Sequence, residues 1–121
     1  MVPPVRVLII DDSVVARRTI RRVLEGGGMA VVGEAADGRA GRDLILALAP
    51  DVVTLDLEMP DVDGLTLLRA ITQHAPRPVV VLSGRLDPAM ELSALQAGAA
   101  HVLAKPTDAA EAATFAPELV R

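Results

Sequence analysis

Residues 52–64 read VVTLDLEMPDVDG, an apolar, β-branched run that ends at Asp56 and leads directly into a turn. Because residues 52–55 show no alternation of apolar and polar side chains, they predict a strand buried on both faces, as in a parallel sheet covered by helices. An unpaired charge is costly to bury, so we expect Asp56 at the carboxyl end of this strand, facing water, a cation or a lysine. Ligands bind at that end of open α/β sheets.

Short apolar runs alternate with amphipathic segments along the rest of the chain. The runs predict strands and the segments predict helices, with Gly, Pro, Asp or Ser at most boundaries. The predicted strands are 5–10, 29–35, 52–55 with Asp56 at the end, 79–82 and 101–104. The predicted helices end near Glu25, at Pro50, near His74 and at Gly98. A last helix, short or truncated because Pro117 interrupts it, is expected within 107–121.

Five strands that alternate with helices imply right-handed crossovers and a parallel sheet. The simplest arrangement is an α/β, flavodoxin-like fold, a doubly wound five-stranded sheet of order 2-1-3-4-5 with helices on both faces. The second strand is short and mixed in polarity, so we expect it at an edge. A chain of 121 residues is expected to form a single domain over 1–121.

Apolar residues at helical spacing predict which side of each helix is buried. In the second helix this stripe is Ala40, Leu44, Ala47 and Leu48. In the third helix it is Leu65, Leu68 and Ile71. The first helix, capped by Ser13 or Asp12, carries four arginines that are expected mainly to face solvent, namely Arg17, Arg18, Arg21 and Arg22.

The composition argues against several classes of function. The net charge of −4 does not suggest a nucleic-acid-binding surface. No cysteine is present, which excludes a disulfide scaffold and a thiolate zinc site and fits a cytoplasmic protein. Phe115 is the only aromatic residue, so stacking on bases is not expected. The sequence also offers no apolar run long enough for a membrane span, and we expect no membrane partner.

Polar residues follow four of the predicted strands. Asp11 and Asp12 follow the first, Asp56 ends the third, Ser83 ends the fourth and Lys105 follows the fifth. All of them fall at carboxyl ends, and the first and third strands are neighbours across the topological switch point of the predicted sheet. The sequence therefore predicts one site assembled from four places in the chain.

The residue types at this site indicate its chemistry. Three crowded carboxylates repel one another unless a cation relieves them. An all-oxygen donor set with room for water favours Mg²⁺, which commonly also binds phosphate. Lys105 offers a point charge and Ser83 a hydroxyl donor, both suited to phosphoryl oxygens. Asp56 is therefore a candidate acceptor of a phosphoryl group, with an acyl phosphate as the product.

This pattern resembles the receiver domain of two-component response regulators over nearly the whole chain. The motifs that carry the resemblance are Asp11-Asp12-Ser13, Asp56 followed by Met59-Pro60 and Asp63-Gly64, Ser83, and Lys105-Pro106. The resemblance implies that Asp56 is the phosphoacceptor, Asp12 a direct Mg²⁺ ligand, Asp11 an acid that binds the metal mainly through water, the backbone carbonyl of Glu58 a further ligand, Ser83 the switch hydroxyl and Lys105 the partner of the phosphoryl group.

Within that family, the sequences of residues 36–38, 50–60 and 104–106 are most similar to the receiver of the chemotaxis protein-glutamate methylesterase, CheB. The resemblance implies a histidine kinase as phosphodonor and an output through the surface of the fourth helix, fifth strand and fifth helix. The partner at that surface would be a methylesterase domain in cis or, for a standalone protein resembling CheY, a separate target. We expect the sequence either to be part of a longer protein or to act alone.

One position departs from the common pattern of receivers. Many of them carry an aromatic residue three positions before the lysine, whose ring turns inward when the hydroxyl residue moves. Here that position is Val102, so an aromatic gate cannot operate. We expect movement of Ser83 to be transmitted through the backbone and packing around Gly84, Val102 and the fourth helix.

Two other functions remain as alternatives. A Mg²⁺-dependent phosphohydrolase of the haloacid-dehalogenase type also uses an Asp at a strand end, but that family carries Asp-x-Asp after its first strand and a cap insertion over its substrate. A flavin or nucleotide carrier would need a glycine-rich phosphate loop and stacking aromatics, which this sequence lacks. We therefore expect a signalling switch and not a turnover enzyme. Steady phosphomonoester turnover or a retained yellow chromophore would favour the alternatives.

Overall fold

A computed structural model of the chain describes residues 2–106. Strands and helices alternate through this range, and their bounds lie close to those predicted. The strands are β1 (Arg6–Ile10), β2 (Ala30–Ala35), β3 (Val52–Asp56), β4 (Val79–Ser83) and β5 (His101–Ala104). The helices are α1 (Val14–Gly26), α2 (Gly38–Leu48), α3 (Gly64–His74) and α4 (Pro88–Ala97). The predicted last helix falls outside the described residues.

The five strands form one parallel sheet of order β2-β1-β3-β4-β5. The predicted flavodoxin-like order is confirmed, and β2 occupies an edge as expected. Every residue of β3 is buried, in agreement with its uninterrupted apolar sequence. Because β2 and β3, the next two strands along the chain, lie on opposite sides of β1, the carboxyl ends of β1 and β3 border the switch point, where ligand sites of such sheets form.

Strand side chains alternate between two apolar cores, one on each face of the sheet. The face covered by α2, α3 and α4 contains Leu8, Ile10, Val53, Leu55, Val79 and Val81. The face covered by α1 contains Val7, Ile9, Val52, Val80 and Leu82. Helices therefore lie on both faces, as predicted, and the polar residues at the carboxyl edge belong to or follow strands that are packed on both faces.

The buried side of α2 differs from the prediction. The buried residues are Gly38, Gly41 and Ile45, whereas Ala47 is exposed and Ala40, Leu44 and Leu48 are half-buried. A Cβ at Gly41 would lie 2.6 Å from Cδ1 of Ile10. The missing side chain lets α2 approach β1 closely, so the helix turns its glycines toward the sheet. An analysis that counts only apolar side chains cannot detect this preference.

Two smaller corrections concern α3 and α1. In α3, Leu67 is buried and the predicted Leu65 is half-buried, although Leu68 and Ile71 are buried as expected. On α1, Arg18 and Arg22 face solvent, but Arg17 and Arg21 both pair with Glu34 on β2. The solvated face predicted for the four arginines is therefore wrong for Arg17, whose side chain is 15% exposed, whereas the side chain of Arg21 stays 37% exposed.

Within residues 2–106, no helix combines the length and the apolar content needed to cross a bilayer.

Candidate functional site

Three carboxylates meet at the carboxyl edge of the sheet. Asp56 ends β3, while Asp11 and Asp12 directly follow β1. Because β1 and β3 are paired in parallel with Ile10 opposite Leu55, the acids that come next emerge side by side. One carboxylate oxygen of each acid lies within 4.8 Å of the others. Asp11 and Asp56 are buried and Asp12 is exposed, so the cluster has a buried base and one side open to water.

Lys105 reaches the two buried acids from the far side of β4. Its Nζ lies 3.2 Å from Oδ2 of Asp56, to which it donates a hydrogen bond. It also lies 2.9 Å from Oδ2 of Asp11, with which it forms an ion pair. The backbone N–H of Lys105 donates to the carbonyl of Ser83 at 2.8 Å. This hydrogen bond holds the backbone of Lys105 against the end of β4.

The charges of these groups influence one another. Burial raises the pKa of Asp56, and the neighbouring Asp11 charge adds to the effect. The backbone N–H of Glu58 and the Lys105 ammonium act in the opposite direction without offsetting the burial. Burial tends to lower the pKa of Lys105, but its contacts with Asp11 and Asp56 outweigh that tendency, and the net shift is upward. The ammonium is therefore firmly held, while Asp56 carries a charge that its surroundings do not fully compensate.

The donor set fits a hard divalent cation. The three acids offer only oxygen ligands, and one oxygen of each lies within 4.8 Å of the others. Mg²⁺ prefers oxygen ligands, keeps several waters and is commonly bound through one or two carboxylates. The exposed Asp12 leaves room for such waters. Asp11, Asp12 and Asp56 are thus the residues that could hold Mg²⁺.

The turn after Asp56 is tied back to that residue. The backbone N–H of Glu58 donates to Oδ1 of Asp56 at 2.9 Å, and Glu58 forms an isolated antiparallel bridge with Asp63. The side chain of Glu58 is exposed. The backbone of this residue, to which the family resemblance assigns a metal-binding carbonyl, therefore lies next to the carboxylate cluster.

Two residues outside the predicted site help to fix its frame. Both oxygens of Asp61 accept from the N–H of Gly38 at 3.1 Å, which joins the turn after β3 to the start of α2. Arg17 donates from Nη1 to the carbonyl of Asp11 at 2.7 Å. Neither contact has a sequence signal, because one partner in each is a backbone group.

Ser83 ends β4 as predicted and is buried. Its hydroxyl donates to the carbonyl of Arg85 at 2.6 Å and accepts from the N–H of Arg85 at 3.2 Å. Among the described residues the hydroxyl itself makes no hydrogen bond to Asp56 or Lys105. Val102 is half-buried and packs against the core beneath α2, α3 and α4. The structure thus places Ser83 at the carboxyl edge of the sheet, as predicted, with its hydroxyl bonded to the loop that follows β4.

Comparison with known proteins assigns the chain to a family. The family model described as "Response regulator receiver domain" matches residues 7–115. Protein-glutamate methylesterase/protein-glutamine glutaminase 4 of Anaeromyxobacter dehalogenans (strain 2CP-C) is 47% identical over 120 residues, which cover 96% of this chain and 33% of that protein. The chain spans about a third of the length of the curated relatives that it matches.

Solved structures agree with this assignment. The response regulator domain of Thermotoga maritima CheB superposes with a TM-score of 0.82 at 34% identity, covering 97% of this chain and 91% of that one. The signal receiver domain of the putative response regulator NarL from Mycobacterium tuberculosis gives a TM-score of 0.85 at 37% identity, covering 97% and 96%. The predicted fold and the predicted likeness to CheB receivers are both confirmed. The chain belongs to the response regulator receiver domain family.

Proposed function

We propose that Asp56 accepts a phosphoryl group from a histidine kinase, or from a small acyl phosphate, with the help of Mg²⁺. The observation that carries this proposal is the meeting of Asp11, Asp12 and Asp56 within 4.8 Å, with Lys105 in contact with two of them. An oxygen of the Asp56 carboxylate attacks phosphorus, and the bond from phosphorus to the donor nitrogen or oxygen breaks. The leaving group keeps that electron pair, and the product is an acyl phosphate on Asp56.

Each side chain has a role that follows from its charge and place. Asp11, Asp12, Asp56 and the backbone carbonyl of Glu58 would hold Mg²⁺, which when bound neutralises charge on the transferring phosphoryl oxygens. Lys105 supplies a fixed positive charge beside Asp56, where the phosphoryl oxygens arrive. Because the site mainly positions and neutralises charge, we propose a phosphoacceptor that catalyses only its own phosphorylation and dephosphorylation.

The switch is proposed to start at Ser83. Its hydroxyl, now bonded to Arg85, would exchange that carbonyl for a phosphoryl oxygen, a stronger, charged acceptor. Movement of the loop from Gly84 onward would then shift α4. Val102 occupies the position where many receivers carry the aromatic gate residue, and it would not rotate. Phosphorylation thus biases an equilibrium between two arrangements of the α4 and β5 surface.

The output is proposed to be a methylesterase domain of the CheB type, with residues 1–121 forming one receiver domain. The identity of 47% to a protein-glutamate methylesterase supports this reading. In such a protein the receiver would restrain a catalytic domain in cis until Asp56 is phosphorylated. A standalone receiver that acts on a separate target, as CheY does, is the alternative, and the sequence of the gene beyond Arg121 separates the two.

The test is intact-mass spectrometry of the chain after incubation with acetyl phosphate and Mg²⁺. The absence of Trp and Tyr makes mass a better readout than intrinsic fluorescence. We expect a single phosphoryl adduct that hydroxylamine removes, that EDTA prevents and that Asp56→Asn abolishes. Asp43→Asn, at an exposed acid of α2, is the matched control and should label normally. An adduct that survives Asp56→Asn would contradict the assignment of the acceptor.

A further inference from the structure

Arg17 has the most buried side chain of the four arginines on α1, and its contacts explain this burial. Its side chain is 15% exposed, compared with 37% for Arg21. Nε donates to Oε1 of Glu34 at 3.2 Å, and Nη1 donates to the carbonyl of Asp11 at 2.7 Å. One planar guanidinium therefore connects helix α1, strand β2 and the backbone at the end of β1.

The carbonyl that Arg17 binds belongs to the peptide group between Asp11 and Asp12. The other contacts of Asp11 fix its remaining groups: its N–H donates to the carbonyl of Ala35 at 3.0 Å, and its Oδ1 accepts from the N–H of Ser13 at 2.9 Å. The Asp12 carboxylate, in contrast, is exposed and makes no hydrogen bond or ion pair to the residues that the structure describes. Within the described residues, the preceding backbone therefore fixes where this side chain begins.

We propose that Arg17 is a positioning residue for the metal site, which acts by fixing the peptide group between Asp11 and Asp12 and so the direction of the Asp12 carboxylate. This inference rests on the proposed function, because it concerns the same Mg²⁺ site. A guanidinium suits the task because its donors are held in one rigid plane and stay charged at all ordinary pH values. Groups that orient metal ligands without touching the metal commonly matter for affinity.

Arg21 provides a matched control on the same helix. It donates from Nε to Oε2 of Glu34 at 2.7 Å, so it shares the ion pair between α1 and β2 with Arg17. No hydrogen bond joins Arg21 to Asp11 in the described range. Replacing either arginine by glutamine removes one charge and one contact with Glu34, but only Arg17→Gln releases the Asp11 carbonyl.

The experiment is calorimetric titration of Mg²⁺ into the wild-type chain, Arg17→Gln and Arg21→Gln at one pH and ionic strength. We expect Arg17→Gln to weaken Mg²⁺ binding by about tenfold and Arg21→Gln to leave it within about twofold of wild type. The rate of labelling by acetyl phosphate provides a second readout. Arg17→Gln should need more Mg²⁺ for its half-maximal rate and reach the wild-type rate at saturation, which a merely structural role would not produce.

The outcomes separate this inference from the proposed function. Two results overturn the role of Arg17 and leave the proposed function standing. In both, the wild-type chain binds Mg²⁺, and either all three chains show equal affinity or both variants lose affinity equally. A wild-type chain that binds no Mg²⁺ overturns the metal site and this inference together. If Arg17→Gln does not fold, Arg17→Lys replaces it, because it retains the charge without the planar pair of donors, and the same comparison with Arg21→Gln applies.

Discussion

Lys105 and Asp56 touch across an intervening strand: Nζ of Lys105 donates to Oδ2 of Asp56 at 3.2 Å, although β4 separates β5 from β3. The same nitrogen lies closer to Asp11, at 2.9 Å. Lys105 is the only lysine in the sequence, so its ionisation can be followed without assignment of many signals.

We expect the pKa of Lys105 to lie above its ordinary value, because the two carboxylates outweigh the effect of burial. Asp11→Asn should lower it more than Asp56→Asn, since Asp11 makes the shorter contact. The measurement is an NMR titration of protein labelled with ¹³C at lysine Cε. A Lys105 signal that titrates alike in wild type and in both variants would contradict the ion pairs.

The same shift predicts how Lys105 contributes to stability. A folded-state pKa above the unfolded value means that the contribution is fully present below the unfolded value of about 10.4 and is lost as pH rises through the folded one. Lys105→Met should therefore lower the free energy of unfolding by about 1–3 kcal/mol at pH 7. Urea denaturation at pH 7 and above pH 10.5 tests this, and the difference should shrink in the alkaline series.

Asp56→Asn is expected to stabilise the metal-free chain at neutral pH. Burial raises the pKa of Asp56, so its contribution is most favourable below the unfolded value of about 3.9 and is lost as pH rises through the folded value. The neutral amide of similar shape avoids this loss. Urea midpoints of both chains in EDTA should therefore differ more at pH 7 than at pH 3.5. A variant that is less stable at pH 7 would show that the Lys105 contact outweighs burial.

On the proposed function, Mg²⁺ should raise the thermal midpoint, because binding at the three acids would relieve their repulsion and would stabilise only the folded chain. Stabilisation is about 1.4 kcal/mol when the free ion exceeds its dissociation constant tenfold. Asp12→Asn alters the exposed acid of the proposed metal site and should abolish most of the increase, whereas Asp43→Asn should preserve it. The increase should also shrink as the pH is lowered and protons compete for the carboxylates. An equal increase in both variants would place the ion elsewhere.

Gly64→Ala should be strongly destabilising. A Cβ there would lie 2.5 Å from the carbonyl oxygen of Leu57, a backbone atom that cannot turn aside. Overpacking of this kind costs about 1–3 kcal/mol, and more where the neighbour is rigid. Gly26→Ala, at the last residue of α1, should instead be neutral or slightly stabilising, because the added carbon would meet no atom within 4 Å apart from its chain neighbours and the backbone of its own helix. Equal effects in urea denaturation would contradict the close contact with Leu57.

The carboxyl-edge cluster could be predicted because it depends on strand ends alone. The apolar runs predict the strands and their order, and in a parallel sheet of that order Asp11, Asp56 and Lys105 emerge at one edge. Side-chain directions within that edge were less accessible: the hydroxyl of Ser83 binds the loop at Arg85, a choice that depends on local backbone geometry.

Contacts to the backbone were the main part of the site that sequence patterns could not predict. The charge and helical position of Arg17 are typical of an exposed face and predict a solvated side chain, yet a carbonyl directly after β1 accepts a hydrogen bond from it. Asp61 looks like an ordinary turn residue, and its capping of α2 follows only from the fold. Hydrophobic periodicity likewise does not predict which glycines, such as Gly41, lie at a packed face.

The close approach of α2 to β1 at Gly41 links two positions that are far apart in the chain. Cδ1 of Ile10 occupies the space that a side chain at residue 41 would need. Among related receivers, the two positions should therefore covary. Sequences with alanine in place of Gly41 should tend to carry a smaller residue such as valine in place of Ile10. The summed volume of the two side chains would then stay constant when both positions are substituted.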